Sequence, residues 1–216
     1  MIGFSNGERK ALLMAIKSIC RVFWGPDDHF CQSVQNGSFL SPFKELSTWV
    51  VFNPPNILNQ IRRVVAHYSN VPSFCSDLEE TYVRLFISNR GGIVAPLYQS
   101  CYEYENAPLM GLAAGNMRKR FESKGLSLSE DLNEPPDHLS IALEYLYFLL
   151  ETGWTEESGE FLDEAASFAA DVLIPWMVQF SGRLAVEAAN RFYALFTSLL
   201  ISILEFIAAN KNSATQ

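Results

Sequence analysis

The sequence is poor in the residues that build metal and catalytic sites. It has 3 histidines and 4 cysteines in 216 residues. Cys20, Cys31, Cys75 and Cys101 form no CxxC pair and none stands at zinc-finger spacing, so no structural metal is expected. Nor is the chain short and cysteine-dense enough for a disulfide framework, and the expectation is four reduced thiols. There is no G-x-S-x-G elbow, no Walker loop and no dinucleotide fingerprint, and Gly91-Gly92 lacks the Lys-Ser/Thr that a phosphate loop needs. Those absences set aside the common nucleotide-binding and hydrolase classes, and no cofactor is expected. Alternating β-branched and polar runs are scarce, and Asn36-Gly37 is followed by Phe39 and Pro42 rather than by a strand. Basic residues are outnumbered, 16 to 24, for a net charge of -8. Such a surface repels nucleic acid and attracts a basic peptide. The N-terminus also lacks the form of a signal peptide: Glu8 precedes the short apolar stretch Ala11 to Ile16, Lys17 closes it, and no small-residue cleavage site follows.

What the chain does have is apolar mass with helical spacing. Hydrophobic residues make up 49% and charged residues 19%, enough for a sizeable core. Ser5 and Glu8 stand at capping-box spacing, and Leu12, Ile16, Ile19 and Phe23 follow at steps of three and four. Gly25-Pro26 ends that helix. A second covers Asp27 to Val34 and stops at Asn36-Gly37. A third opens at Pro42 and reaches about Val51, before the break at Asn53-Pro54-Pro55. Ile57, Ile61, Val64, Val65 and Tyr68 mark the next. Pro72 separates it from a helix whose capping box is Ser76 with Glu79, with Leu78, Tyr82, Leu85 and Phe86 on one face. A short helix is expected from Leu97 to Tyr104. Asn106 and Pro108 open another, with Leu109, Leu112, Ala113, Met117 and Phe121 inward, cations Arg118, Lys119, Arg120 and Lys124 near its end, and Gly125 as its stop. Residues 126–136 read as a polar, hinge-like loop. Ile141 to Leu150 is apolar nearly all round, as a buried helix should be, and Gly153 ends it. Thr155 caps the next, which reaches Phe180 with a possible kink at Pro175, and Gly182 separates it from the last. The expectation is an all-α fold of eight to ten helices in a single domain over 1–216.

The last segment, Phe192 to Ala209, brushes the length of a membrane span. Glu205 within it would be costly in a bilayer, by roughly 2 to 3 kcal/mol. A buried core helix reads the same way and is preferred; a tail-anchored protein is the alternative.

Candidate chemistry is sparse. His29 and Cys31 lie beside Asp27 and Asp28 without further ligands, and His67 follows Val65 and Ala66 in a helical pattern. Glu134-Pro135-Pro136-Asp137-His138-Leu139 stands out. Two prolines fix the backbone before an Asp that can cap the following helix, and His138 would sit in its first turn. An Asp137/His138 pair could also serve a small hydrolase, although no nucleophile is placed by the sequence.

Three patterns occur in order: Tyr82-Val83-Arg84-Leu85-Phe86, then Pro96-Leu97-Tyr98-Gln99-Ser100-Cys101-Tyr102, then Glu134-Pro135-Pro136-Asp137-His138 ahead of Leu143-Glu144-Tyr145-Leu146. Together they resemble the TorD/DmsD family of cytoplasmic chaperones, the redox enzyme maturation proteins related to the NarJ type. Gln99 stands where that family usually has glutamate, and Leu97 breaks the common Pro-aromatic step. The resemblance implies a globular all-α fold and no catalysis. It implies a partner: the twin-arginine leader of a molybdopterin-containing oxidoreductase, whose unfinished apo form is held in the cytoplasm until its cofactor is inserted. It assigns the leader surface to Tyr82, Leu85, Phe86, Tyr98, Pro135, Asp137 and His138, in a monomer or a helix-swapped dimer. Aromatic and leucine side chains would take the apolar part of a leader, and acidic groups its arginines. The physical expectation is an apolar, negatively biased furrow at the Pro-Pro-Asp-His corner.

Overall fold

The computed structural model describes residues 4–49, 54–129, 132–185 and 191–211. Val51 and Asn53 of the third-helix reading, and Glu130 and Asp131 of the polar loop, lie outside them. Among the described residues the regular structure is helical, apart from one isolated antiparallel bridge between Tyr98 and His138.

Helix α1 (Asn6–Phe23) begins at the expected capping box: Ser5 Oγ accepts from Glu8 N at 3.3 Å and Glu8 Oε2 accepts from Ser5 N at 2.7 Å. Asp27 caps α2 (Asp28–Gln35), taking the Phe30 N–H at 2.7 Å. Gly37, at φ +80°, turns the chain into a 3₁₀ turn (Ser38–Leu40) and α3 (Ser41–Trp49). Helix α4 (Pro54–Val65) follows. Helix α5 (Val71–Tyr82) starts earlier than the Ser76/Glu79 box suggests. Asn70 is its cap, accepting from Ser73 N at 2.9 Å, and Pro72 falls in the first turn. There its missing N–H is no loss. A π-helical turn (Val83–Ile87) continues α5.

The short helix expected over Leu97 to Tyr104 is a 3₁₀ turn, Gln99–Tyr102. Helix α6 (Leu112–Ser123) begins later than Asn106 and Pro108 suggest. Asn106 and Met110 take positive φ, of 59° and 63°, so the backbone there is a loop. Leu109 and Leu112 face solvent rather than the core, whereas Ala113, Met117 and Phe121 are buried as expected. The Glu103 carboxylate accepts from Leu112 N and Ala113 N at the helix start. Gly125, at φ +68°, follows its end.

Helix α7 (Leu139–Thr155) runs straight through Gly153. The glycine is there for packing: a Cβ on it would lie 2.7 Å from Leu162 Cδ2. Ser158, not Thr155, stands at the start of α8 (Gly159–Phe168). A π-helical turn (Ala169–Leu173) joins it to α9 (Ile174–Ala185), which passes Gly182 without a break. The widened turn lies directly before Pro175, whose ring would otherwise meet a carbonyl of the preceding turn.

Helix α10 (Phe192–Ala209) is long and apolar enough to cross a membrane, yet more than half of it is buried in the fold. It packs on α9, α4, α8 and α1, while α1 lies on α7 and α3, and α7 on α8. Glu205 stays on its exposed side. The core is rich in rings: Phe23, Phe86, Phe180 and Tyr193 meet edge-on, tilted or stacked at 5.0 to 6.4 Å. One expectation about the cysteines is overturned. Cys31 and Cys75 form a disulfide between α2 and α5, leaving Cys20 and Cys101 as free thiols. The pair is made by the packing of those two helices, which no spacing in the sequence announces.

Candidate functional site

The three motifs converge where α1 ends and α7 begins. Arg21 donates to Gly25 O and pairs with Asp27, which fixes the turn after α1. Gly25, at φ +96°, lies against the Tyr82 ring, with which a Cβ would already be in contact at 3.4 Å. Tyr82, at the end of α5, donates from its hydroxyl to Phe23 O at 3.1 Å. The Leu97–Gln99 segment is clipped to the start of α7: Leu139 N donates to Leu97 O at 2.8 Å and Gln99 N to Asp137 O at 3.1 Å.

This clip seals the corner that the sequence leaves open as a seat for a ligand. Asp137 is 0% exposed and His138 3%. Asp137 is not the helix cap: its Oδ2 accepts from Ser100 N at 2.7 Å. His138 is the cap, with Nδ1 accepting the Ser140 N–H at 3.2 Å. The two side chains are thus committed to different backbone donors and form no acid–base dyad, which removes the basis of the hydrolase alternative. Burial pushes the His138 imidazole down to about 4, so it is neutral at pH 7.

What the corner shows to solvent is aromatic and acidic. Trp24 stacks on His138 at 4.9 Å and 18°, and its Nε1 donates to Glu144 Oε1 at 3.3 Å. Tyr98 meets the other side of the group edge-on, 5.3 Å from His138, and donates to Glu134 Oε2 at 2.8 Å. Burial, followed by the Glu134 charge, pushes the Tyr82 phenol up to about 12. Burial and the Glu134 hydrogen bond raise that of Tyr98 as well, so both remain neutral donors. Trp24, Tyr82, Tyr98, Glu134 and Pro135 are all half-buried, and Glu144 is exposed.

From Glu144 a furrow of about 310 Å³ runs between α1 and α7. Ile16, Cys20 and Leu143 form its apolar floor, and Lys17, Glu144 and Glu151 its rim. Tyr147 lies between the two glutamates and donates to Glu151 Oε1 at 2.9 Å. Burial, then the Glu144 charge, pushes the Cys20 thiol up to about 12, so it is inert as a nucleophile. The furrow therefore lies beside the sealed corner rather than in it.

Of the residues singled out in the sequence, Tyr82, Tyr98, Pro135, Asp137 and His138 do come together. Leu85 and Phe86 point the other way, each 2% exposed. Phe86 stacks on Phe180 at 5.9 Å. Trp24, half-buried, and Glu144, exposed, are members of the group that the sequence motifs do not mark. A signal existed for the second: Glu144 is the one charged residue between Ile141 and Leu150.

The model of the family described as nitrate reductase delta subunit matches residues 60–181, a span that holds all three motifs. The chaperone protein TorD of Histophilus somni (strain 129Pt) is 26% identical over 175 residues, covering 80% of this chain and 83% of the relative. The chaperone protein TorD of Actinobacillus succinogenes is 31% identical over 118 residues, covering 53% of this chain and 55% of the relative. Among solved structures, one described as a redox enzyme maturation protein from Archaeoglobus fulgidus superposes with a TM-score of 0.56 at 20% identity. It covers 94% of this chain and 96% of that one, and shares its fold.

Proposed function

The chain belongs to the nitrate reductase delta subunit family and is a redox enzyme maturation chaperone rather than an enzyme; from that premise we propose that it binds the twin-arginine leader of a molybdopterin-containing oxidoreductase. By that grip it holds the apo catalytic subunit in the cytoplasm until the cofactor is inserted. The observation that carries this reading is the half-exposed ring surface of Trp24, Tyr82 and Tyr98, with the Glu134 and Glu144 carboxylates hydrogen-bonded into place beside it. Rings and carboxylates held in this way suit guanidinium groups, through cation–π contact and charge-assisted hydrogen bonds. Because the carboxylates are already oriented by Trp24 and Tyr98, little side-chain entropy is lost on binding.

Within this proposal the seven residues assigned by resemblance divide by burial. Tyr82, Tyr98 and Pro135 touch the leader. Leu85, Phe86, Asp137 and His138 act from beneath, holding the ring surface and the clip in shape. The test is fluorescence anisotropy with a labelled twin-arginine leader peptide from an oxidoreductase encoded beside this chain. Binding is expected in the micromolar range or tighter, and weaker at high salt, because the contacts are between exposed charges. Failure of such leaders to bind, with the chain folded, defeats the proposal.

A further inference from the structure

The geometry points to a fixed direction for the bound segment: its basic residues at the Trp24–Glu144 end of the α1/α7 furrow, and its apolar run lying along the furrow toward the start of α1. This inference rests on the leader-binding reading and adds to it a second surface and a polarity.

The argument starts from charge. At the corner end the furrow meets the Glu144 carboxylate, which the Trp24–His138–Tyr98 rings link to a second, Glu134. Arg21, a cation at that end, is occupied by Gly25 O and Asp27. At the opposite end the character reverses. A second concavity of about 440 Å³ shares Tyr147 and Glu151 with the first and continues past Met14 to Arg9 and Lys10. Arg9 lies over the Trp154 ring there, 6.0 Å from its centre. Lys17 stands on the rim between the ends and faces Glu151 and Glu144 across the furrow. A segment with its cations at one end is thus attracted by the carboxylates at the corner and meets the exposed Lys10 at the far end, so one of its two orientations is favoured.

Length agrees with charge. From Glu144 to Thr155 along α7 is eleven residues, about 16 Å at 1.5 Å per residue. Export leaders place basic residues first and then an apolar run of about 7 to 15 residues, which as a helix spans about 10 to 22 Å. Apolar side chains line both parts, Ile16 and Leu143 in the first concavity and Leu13 and Met14 in the second. The bound segment then runs in the same direction as α7 and opposite to α1.

Two measurements on the full chain test this together. The first compares a leader peptide carrying the arginine pair with one in which both arginines are glutamine. The wild-type chain is expected to prefer the arginine peptide by about tenfold, and the double variant Glu134→Gln/Glu144→Gln to prefer neither. Glutamine keeps an acceptor for Trp24 and Tyr98, and an unchanged melting midpoint verifies the fold. The second places a photo-crosslinker at either end of the apolar run. Attachment next to the arginines is expected to label the Trp24 neighbourhood, and at the distal end residues 9–14. An arginine preference that survives in the double variant, or a reversed labelling pattern, overturns the inference while leaving leader binding standing. Absence of binding by the wild-type chain removes both. A concentration-dependent dimer that the same substitutions dissociate, with peptide affinity unchanged, assigns the furrow to a second copy and likewise overturns it.

Discussion

His138 stands at the start of α7 with its Nδ1 accepting the Ser140 N–H, a bond that protonation would break. Its folded value of about 4 lies below the usual 6.5, so on acidification the unfolded chain takes up the proton first. The contribution to stability is fully present above about pH 6.5, declines as the pH falls toward about 4, and then levels off. Its whole size is about 3 kcal/mol. Asparagine also caps helices and does not titrate. Urea unfolding at pH 7 and pH 5 should therefore show the wild-type chain losing about 2 kcal/mol more than His138→Asn; equal losses would refute the assignment. At this scale the sequence misled by one residue. Pro-Pro-Asp is a good cap pattern, but Asp137 is claimed by Ser100, 37 residues away in the chain. A partner at that distance leaves no local trace.

Among the elements, local signal and observed structure part mainly at glycines and prolines. Gly153 and Gly182 read as helix ends, because isolated glycines weaken helices. Both are interior. For Gly153 the reason is the closeness of α8, with a Cβ only 3.2 Å from Leu162 N as well as 2.7 Å from Leu162 Cδ2. Gly153→Ala gains about 1 kcal/mol of helix propensity but overpacks against main chain that cannot swing aside, at about 1 to 3 kcal/mol. The expected balance is a net loss of about 1 kcal/mol, a fall of roughly 2 to 4 °C in Tm. A midpoint at or above wild type contradicts the packing argument. Where the local signal was complete it was right: the Ser5/Glu8 box begins α1 and Asp27 begins α2. At α5 two cap signals competed, and Asn70 with Pro72 in the first turn prevailed over Ser76 with Glu79. Where Pro175 suggests a kink, the structure has a π-helical turn directly ahead of it.

For the whole molecule, the order and identity of most helices could be read from apolar spacing, and α10 sits in the core as its composition allowed. The site was readable only in part. The motifs meet as their order implied, but the furrow beside them is drawn from α1 and α7, which are brought together by tertiary packing alone. The Cys31–Cys75 bridge has the same origin, closing a sequence separation of 44. On chain entropy a loop of that size is worth up to about 4 kcal/mol. Reduction should lower the urea midpoint accordingly, and a Cys31→Ser/Cys75→Ser variant should behave like the reduced chain with or without reductant. A midpoint indifferent to reductant would show that the bridge contributes nothing.

The two hydrogen bonds that pin Leu97–Gln99 to Asp137–Leu139 carry a consequence for how this architecture tolerates variation. The chain after Gln99 stays on the body through Tyr102, which packs on Trp176 and Phe180, and only residues 103–111 run largely over the surface before α6. Helix α6 is separately moored, through Phe121 on Tyr145 and Lys124 to Glu164. The exposed loop 104–110 before that mooring can grow or shrink without shifting α5 or α7, since doubling a flexible loop costs only about 0.6 kcal/mol. Relatives that differ in length are expected to differ there, like a balcony rebuilt while the house stands.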